Sequence, residues 1–161
     1  MRGNGAPARQ NYGKQTLGPW VFGLAIKRAS GNTEVRMFNV LRRDESTLQA
    51  IVLRHIRPGT EIWTHEWRAY TNIPRWVSNG QPYMHRTVNH QQNFINPITG
   101  ANTQMIERAW RSARLKIIKN ANNVHPNSLS GYLAKIWWRS LHTTAPFNDF
   151  IAEVQRQYPM H

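Results

Sequence analysis

The chain has 161 residues, no cysteine and a formal net charge of +13, with 21 Lys and Arg against eight Asp and Glu. This length suits one domain with a hydrophobic core, and the lack of cysteine excludes disulfides and thiolate metal sites and favours an intracellular protein, nuclear in a eukaryote or cytoplasmic in a bacterium. No apolar run approaches the ~20 residues of a membrane span, and the basic, arginine-rich composition predicts a partner that carries phosphate, with nucleic acid ahead of an acidic membrane surface.

The first part of the chain is predicted to be a basic arm followed by a β-hairpin. Residues 1–17 are rich in Gly, Asn, Gln and basic residues without periodicity, which indicates a flexible arm or a truncated first strand, and they lack the apolar stretch of a secretory signal. The apolar run at 20–26 predicts a buried strand. Residues 33–40 alternate like its antiparallel partner, across a turn at 30–32. A single domain is expected over residues 18–158.

A helix and a third strand are predicted next. Asp44 begins an acidic, cap-like entry to a helix in which Leu48, Val52 and Ile56 recur at helical spacing, and Pro and Gly at 57–60 stop it. A short strand is expected at 61–64. The order strand, strand, helix, strand predicts an α/β fold with a mixed sheet.

The remainder of the chain is predicted to contain one more strand and four helices. A short helix at 67–73 is expected to end at Pro74, a strand occupies 83–88, and a loop covers 88–103. Helices then follow at 105–120, from a cap at Ser128, and at 147–158.

His65 and Glu107 are the candidate catalytic or metal-binding residues. His65 and Glu66 open like the His-Glu-x-x-His zinc motif, but Ala69 stands where the second imidazole is needed, so a zinc site is not supported. No Gly-x-Ser-x-Gly elbow or Gly-rich phosphate loop is present, which leaves carboxylate chemistry. Glu107, in the first turn of a predicted helix, is the candidate acid, and its alternative role is an ion pair with Arg111, four residues on.

Several short blocks of this sequence resemble the Merlin-type and related bacterial insertion-sequence DDE transposase domain, an ISXO-like member of the RNase H-like integrase superfamily. The blocks run in order over roughly residues 12–155: WVFG, PGTEIWTHEWRAY, VNHQQNF, TGANTQMIERAW and YLAKIWWR. Trp67, Tyr70, His90 and Trp110 match the family pattern. The family Glu falls on Glu107.

The resemblance implies an RNase H-like mixed sheet flanked by helices, with a helical C-terminal third and three acids that hold two Mg²⁺ or Mn²⁺ ions. This chain departs from that pattern. The family's second Asp falls on His65, the family His falls on Asn102, and the first Asp belongs upstream of residue 11, where the chain has no acid. These departures predict a degenerate triad in which Glu107 is the surviving acid and a weak metal ligand at most.

Three functions remain open from the sequence. The first is a DNA-binding, catalytically impaired transposase relative, a remnant or a domesticated protein. The second is an active DDE transposase subunit with a rearranged site, and the third is a protein-interaction module that keeps the fold. A homo-oligomer is the candidate assembly. The candidate phosphate contacts are the exposed cations of the predicted helices and turns: Arg42, Arg43, Arg108, Arg111, Arg114, Lys116 and Lys119.

Overall fold

The computed structural model describes residues 20–89, 95–120 and 126–159, with the side chains of 116–120 and 126–127 left out. The predicted arm at 1–17, the motif residue His90 and the side chains of Lys116 and Lys119 therefore lie outside the described part of the chain.

The predicted hairpin is confirmed. Strand β1 (Trp20–Lys27) pairs antiparallel with β2 (Thr33–Val40), from Trp20 opposite Val40 to Lys27 opposite Thr33. Gly31, with φ 83°, closes the turn between them in a conformation that residues with a Cβ rarely adopt. Alternation along β2 sends Val35 and Met37 to one face of the ribbon.

Helix α1 (Glu45–His55) begins as the sequence predicts. A carboxylate oxygen of Asp44 accepts hydrogen bonds from the Thr47 backbone N–H at 3.1 Å and from the Thr47 hydroxyl at 2.7 Å, so the first turn of the helix has a side-chain cap. Leu48 and Val52, one helical turn apart, are buried. Strand β3 (Glu61–His65) follows and is one residue longer than predicted.

The region after β3 departs from the prediction. Residues 67–73 form no continuous helix but two 3₁₀ turns, Arg68–Tyr70 and Ile73–Arg75, and Pro74 lies inside the second turn instead of ending the first. Proline is tolerated there because the first turn of a helix needs no N–H donor at that position. A small hairpin of β4 (Val77–Ser78) and β5 (Gln81–Pro82) was not predicted.

Strand β6 (Met84–Val88) runs parallel to β3, with Glu61 opposite Met84 and His65 opposite Val88. Among the described residues the strands hydrogen-bond as three separate pairs, β1–β2, β3–β6 and β4–β5. The α/β class is confirmed, whereas the predicted single mixed sheet is divided into these pairs.

Three long helices form the C-terminal third, as predicted. They are α2 (Gln104–Asn120), α3 (Pro126–Leu141) and α4 (Pro146–Gln157). Ser128 lies within α3 and does not cap it, because the helix begins two residues earlier at Pro126. Proline suits that position, since its fixed φ is already helical and its missing N–H has no partner to lose there.

Among the described residues, two hydrophobic clusters form the core. One contains Val35 and Met37 of β2 packed against Ala113 of α2 and against Leu129 and Leu133 of α3. The second cluster is built by α1 and the segment after β3, with the buried residues Leu48, Val52, Ile73, Trp76 and Tyr83. Val21 of β1 packs against the first cluster and its neighbour Phe22 against the second. The hairpin is thus covered on both faces.

The contact between β1 and α2 generates a prediction about two glycines. A Cβ built on Gly23 would lie 2.9 Å from Trp110 Cζ2 and 3.1 Å from Ile106 Cδ1, whereas a Cβ on Gly131 of α3 would meet no atom within 4 Å. Gly23→Ala is expected to destabilise the fold by about 1–3 kcal/mol through overpacking. Gly131→Ala, the matched control, is expected to stabilise it by about 0.5–1 kcal/mol. Urea unfolding measures both values, and equal effects of the two changes would contradict the close contact.

Candidate functional site: the cleft between β1 and β3

A cleft of about 690 Å³ lies between the two main strand pairs. Its lining comes from β1, the end of α1, β3 and residues 102–110 at the start of α2. Both His65 and Glu107 line it, so the structure brings together the two residues that the sequence singles out. Asn102, which the resemblance aligns with the family His, and Trp110 line the same cleft.

His65 occupies the last position of β3 and lines the cleft. Its ring meets the ring of Tyr70 edge-on, with centroids 5.8 Å apart and planes at 86°. Tyr70 in turn meets Trp67 edge-on, with centroids 5.1 Å apart. Burial raises the pKa of Tyr70 to about 12, so its hydroxyl stays neutral near neutral pH. The two motif aromatics therefore hold the end of β3 in place and carry no charge.

Glu107 lies in the first turn of α2 and is fixed by Thr103. The Thr103 hydroxyl donates to Glu107 Oε1 at 2.7 Å, and the Thr103 carbonyl accepts the Glu107 backbone N–H at 3.0 Å. Within the described residues no ion pair joins Glu107 to Arg111, so the alternative role given to this acid by its spacing is not seen. The same turn places Trp110 against Gly23 of β1.

The cleft contains two other carboxylates, Glu34 and Glu61, and both are already engaged. Glu34 is only 4% exposed and accepts hydrogen bonds from Arg28, Arg36 and the Trp137 ring N–H. Burial alone would raise the pKa of Glu34, but these hydrogen bonds outweigh it and lower the value.

Hydrogen bonds from Trp63 and from Arg86 lower the pKa of Glu61. A carboxylate whose charge is neutralised by arginines is a poor partner for a cation. Neither Glu34 nor Glu61 is therefore poised to hold a metal ion.

Sequence reasoning missed the cluster around Glu34. Glu34 and Arg36 stand two residues apart on a strand and therefore on one face, which was a usable signal for an ion pair. The contribution of Trp137 carried no such signal, because α3 reaches β2 only through the tertiary fold.

Glu66, the neighbour of His65, does not line the cleft. Its carboxylate accepts a hydrogen bond from the Asn89 side chain at 3.0 Å and lines a separate depression with Trp67, Arg68 and His85. It points away from the cleft, as alternation at a strand end requires.

The donor set does not fit a divalent metal site. All eight acidic residues of the sequence fall within the described ranges. In those ranges, no group of three or more His, Asp or Glu side chains is placed to hold a metal ion. A pair of hard cations needs several carboxylate oxygens, and an imidazole at position 65 removes one such ligand.

The five arginines among the predicted phosphate contacts divide into two groups, and the side chains of Lys116 and Lys119 lie outside the described part of the chain. Arg108, Arg111 and Arg114 are exposed along α2, and none of them takes part in an ion pair with a described acid. Arg42 is paired with Asp44 at 2.6 Å, and Arg43 stacks on aromatic rings. The first group is therefore the better prepared to meet phosphate.

A scan against protein-family models matches residues 3–140 to the ISXO2-like transposase domain. The chain belongs to this family. The match spans most of the sequence and agrees with the resemblance carried by the ordered blocks. Searches of curated proteins and of solved structures gave no match. DDE transposases normally use divalent metals, and their work on DNA implies contact with it. Among the described helices of this transposase domain, none is long and apolar enough to cross a bilayer.

Arg43 generates a prediction about the integrity of this site. Its guanidinium lies 3.9 Å from the ring centroid of Trp20 and 5.7 Å from that of Trp67, so it links the start of β1 to the segment after β3. Arg43→Ala is expected to lower the free energy of unfolding by about 1 kcal/mol through loss of cation–π contacts.

The matched control is Arg42→Ala, which removes the same charge but only an exposed ion pair with Asp44. It should lower the free energy of unfolding by less than Arg43→Ala does. Urea unfolding followed by tryptophan fluorescence measures both values. A larger loss for Arg42→Ala than for Arg43→Ala would contradict the stacking role.

Proposed function

We propose that this transposase-family chain is a DNA-binding domain with an RNase H-like arrangement that has lost the ability to cut or join DNA strands. The observation that carries the proposal is His65, at the end of β3, lining one cleft with Glu107. The family pattern has a metal-binding Asp where this chain has His65. His65 thus keeps the place of that Asp at the end of β3, but an imidazole replaces the carboxylate.

The strand and helix arrangement supports the RNase H-like part of the proposal. An antiparallel pair, β1–β2, and a parallel pair, β3–β6, lie on either side of the cleft. Helices α2 and α3 cover one face of the hairpin, and the cluster around α1 covers the other. Strands with helices on both faces are the layering expected for an α/β domain of this class.

The chemistry of the cleft supports the loss of catalysis. In two-metal phosphoryl transfer, carboxylates neutralise and position two divalent cations, which stabilise the attacking and the leaving oxygen. Here the three acids of the cleft are Glu34, bound by two arginines, Glu61, bound by Arg86, and Glu107. One imidazole and one further acid, Glu107, supply too little negative charge for two such ions.

The charge distribution supports DNA binding. The chain carries +13 overall, and the strip formed by Arg108, Arg111 and Arg114 is exposed on α2, the helix that carries Glu107. Cations at a spacing of three residues lie along one side of a helix. Contacts of this kind meet phosphates and not base edges, so the binding should depend steeply on salt and weakly on sequence.

The arginine strip gives the first test. The triple change Arg108→Gln, Arg111→Gln and Arg114→Gln is expected to weaken binding to duplex DNA, because each lost phosphate contact makes the slope of log K against log[salt] shallower by about 0.9. Fluorescence anisotropy over a range of salt concentrations measures the slope.

The matched control removes three exposed arginines elsewhere, with Arg54→Gln, Arg68→Gln and Arg75→Gln. A general effect of net charge would weaken DNA binding equally in both triple variants. That result would contradict a specific role of the arginine strip in binding DNA. Absence of any binding at low salt would reject DNA binding altogether and favour the role of a protein-interaction module.

Loss of catalysis gives the second test. Supercoiled plasmid incubated with the full chain and Mg²⁺ or Mn²⁺ is expected to show no more nicking than plasmid incubated with the Glu107→Gln variant, because the site lacks the carboxylates that hold the ions. Agarose gel electrophoresis follows the conversion of supercoiled to open-circular DNA. Metal-dependent nicking by the wild type that disappears in Glu107→Gln would show an active transposase subunit with a rearranged site.

A further inference from the structure

Helix α4 is attached to the rest of the domain through the side that carries Asp149. A carboxylate oxygen of Asp149 lies 2.9 Å from His142 Nδ1, and the Trp138 ring N–H donates to the Pro146 carbonyl at 3.2 Å. Trp138 also meets Phe150 edge-on, with ring centroids 6.1 Å apart. These contacts come from the end of α3 and the residue that follows it, and no residue of α4, which is described over its whole length, is buried.

Another side of α4 presents an apolar stripe to solvent. Its members, which we call the α4 stripe, stand four, three and four residues apart: Phe147, Ile151, Val154 and Tyr158. This is the seam spacing of helices that pair with one another. The two aromatic residues at its ends are 71% and 72% exposed, and the two aliphatic residues between them are 39% and 38% exposed. Contiguous exposed apolar surface of this kind marks an interaction site.

The charges of α4 favour a protein partner over an anionic one. At 3.6 residues per turn, the charged residues lie on the side of the helix turned away from the α4 stripe, and they are Asp149, Glu153 and Arg156. Two acids and one base give this side no attraction for DNA phosphate or for an acidic membrane surface. The polar residues that border the stripe are uncharged: Asn148, Gln155 and Gln157. Two copies of this basic chain can therefore meet along the stripe without bringing like charges into contact.

The α4 stripe is complementary to a second copy of itself. Its spacing reads the same in both directions, so two antiparallel helices place Phe147 against Tyr158 of the second copy and Ile151 against Val154 of the second copy. A two-fold symmetric interface requires such self-complementarity, because each of its contacts occurs twice. The antiparallel arrangement also sets the positive end of each helix dipole beside the negative end of the other.

We propose that α4 is a dimerisation helix, whose stripe packs antiparallel against the α4 stripe of a second copy of this chain. At about 200 Å² for a bare large side chain, the stripe and Phe150 expose roughly 500 Å² per copy, so a pair buries about 1,000 Å². That area lies at the lower end of specific interfaces and predicts a weak, reversible dimer. Helix α4 lies beyond residues 3–140, which match the transposase domain, and dimerisation through it needs neither DNA nor a metal ion.

Sedimentation equilibrium of the full chain without DNA, from micromolar to near-millimolar concentrations, tests the dimer. Ile151→Glu places a charge at the centre of the α4 stripe and is expected to raise the dimer dissociation constant about tenfold or more. The matched control is Ile98→Glu, which makes the same change at a residue that is 93% exposed in another segment, and it should leave the constant unchanged. Added salt should tighten the wild-type dimer, because it screens the repulsion between two copies of charge +13.

Disulfide trapping tests the antiparallel arrangement, and the chain has no cysteine of its own to interfere. Antiparallel pairing brings position 148 of one copy beside position 155 of the other. Within one helix these positions are about 10 Å apart, which is too far for a disulfide. The double variant Asn148→Cys with Gln155→Cys, treated with a mild oxidant, is expected to run as a linked dimer on a non-reducing gel. Each single variant should stay a monomer there.

Several results would overturn the proposal. A monomer at every concentration would do so, as would assembly that continues beyond the dimer. Equal weakening by Ile151→Glu and Ile98→Glu, or a dimer that salt loosens, would show that the α4 stripe does not hold the two copies together. Linked dimers from the single cysteine variants but not from the double variant would reject the antiparallel pairing. The salt and trapping results do not depend on the folding of the glutamate variants.

Discussion

The contact between Trp110 and the backbone of β1 at Gly23 fixes the geometry of the site. It allows α2 to approach the strand closely, since any side chain at position 23 would collide with the indole ring. The first turn of α2 is thereby held beside the end of β3, and Glu107 comes to line the same cleft as His65. Packing of Ala113 one turn further along α2 against Val35 and Met37 extends this contact into the core. The position of Glu107 in the cleft thus depends on the close contact between the Trp110 ring and Gly23.

The balance of charge around the cleft then decides what the site can do. Three carboxylates line it, and arginines bind two of them, Glu34 and Glu61. A metal ion placed there would have to displace these arginines, whose charge-assisted hydrogen bonds already satisfy the carboxylate oxygens. His65 adds no carboxylate to these acids at the end of β3. Basic residues outside the cleft are under no such constraint, so the proposed phosphate binding does not depend on metal ions in the cleft.

Local signals predicted most of the secondary structure, and non-local contacts explain what they missed. The Asp44 cap, the hairpin of β1 and β2 and the strands β3 and β6 followed from patterns within a few residues. The β4–β5 hairpin was missed although Asn79 and Gly80, with φ values of 50° and 75°, form the Asn-Gly turn that favours such hairpins. The parallel pairing of β3 with β6 and the stacking of Arg43 on Trp20 and Trp67 join distant segments, so no local pattern could reveal them. At the site, the order of the blocks singled out His65 and Glu107, but not the arginines that hold Glu34.

Titration of the full chain with Mn²⁺, followed by electron paramagnetic resonance of the free ion, tests the central claim most directly. Two-metal catalysis requires a pair of ions held close together by shared carboxylates. We expect weak binding without saturation, identical in the wild type and in Glu107→Gln. Saturable binding of two ions that is lost in Glu107→Gln would contradict the proposed loss of catalysis, because the cleft would then hold the metal pair that phosphoryl transfer needs.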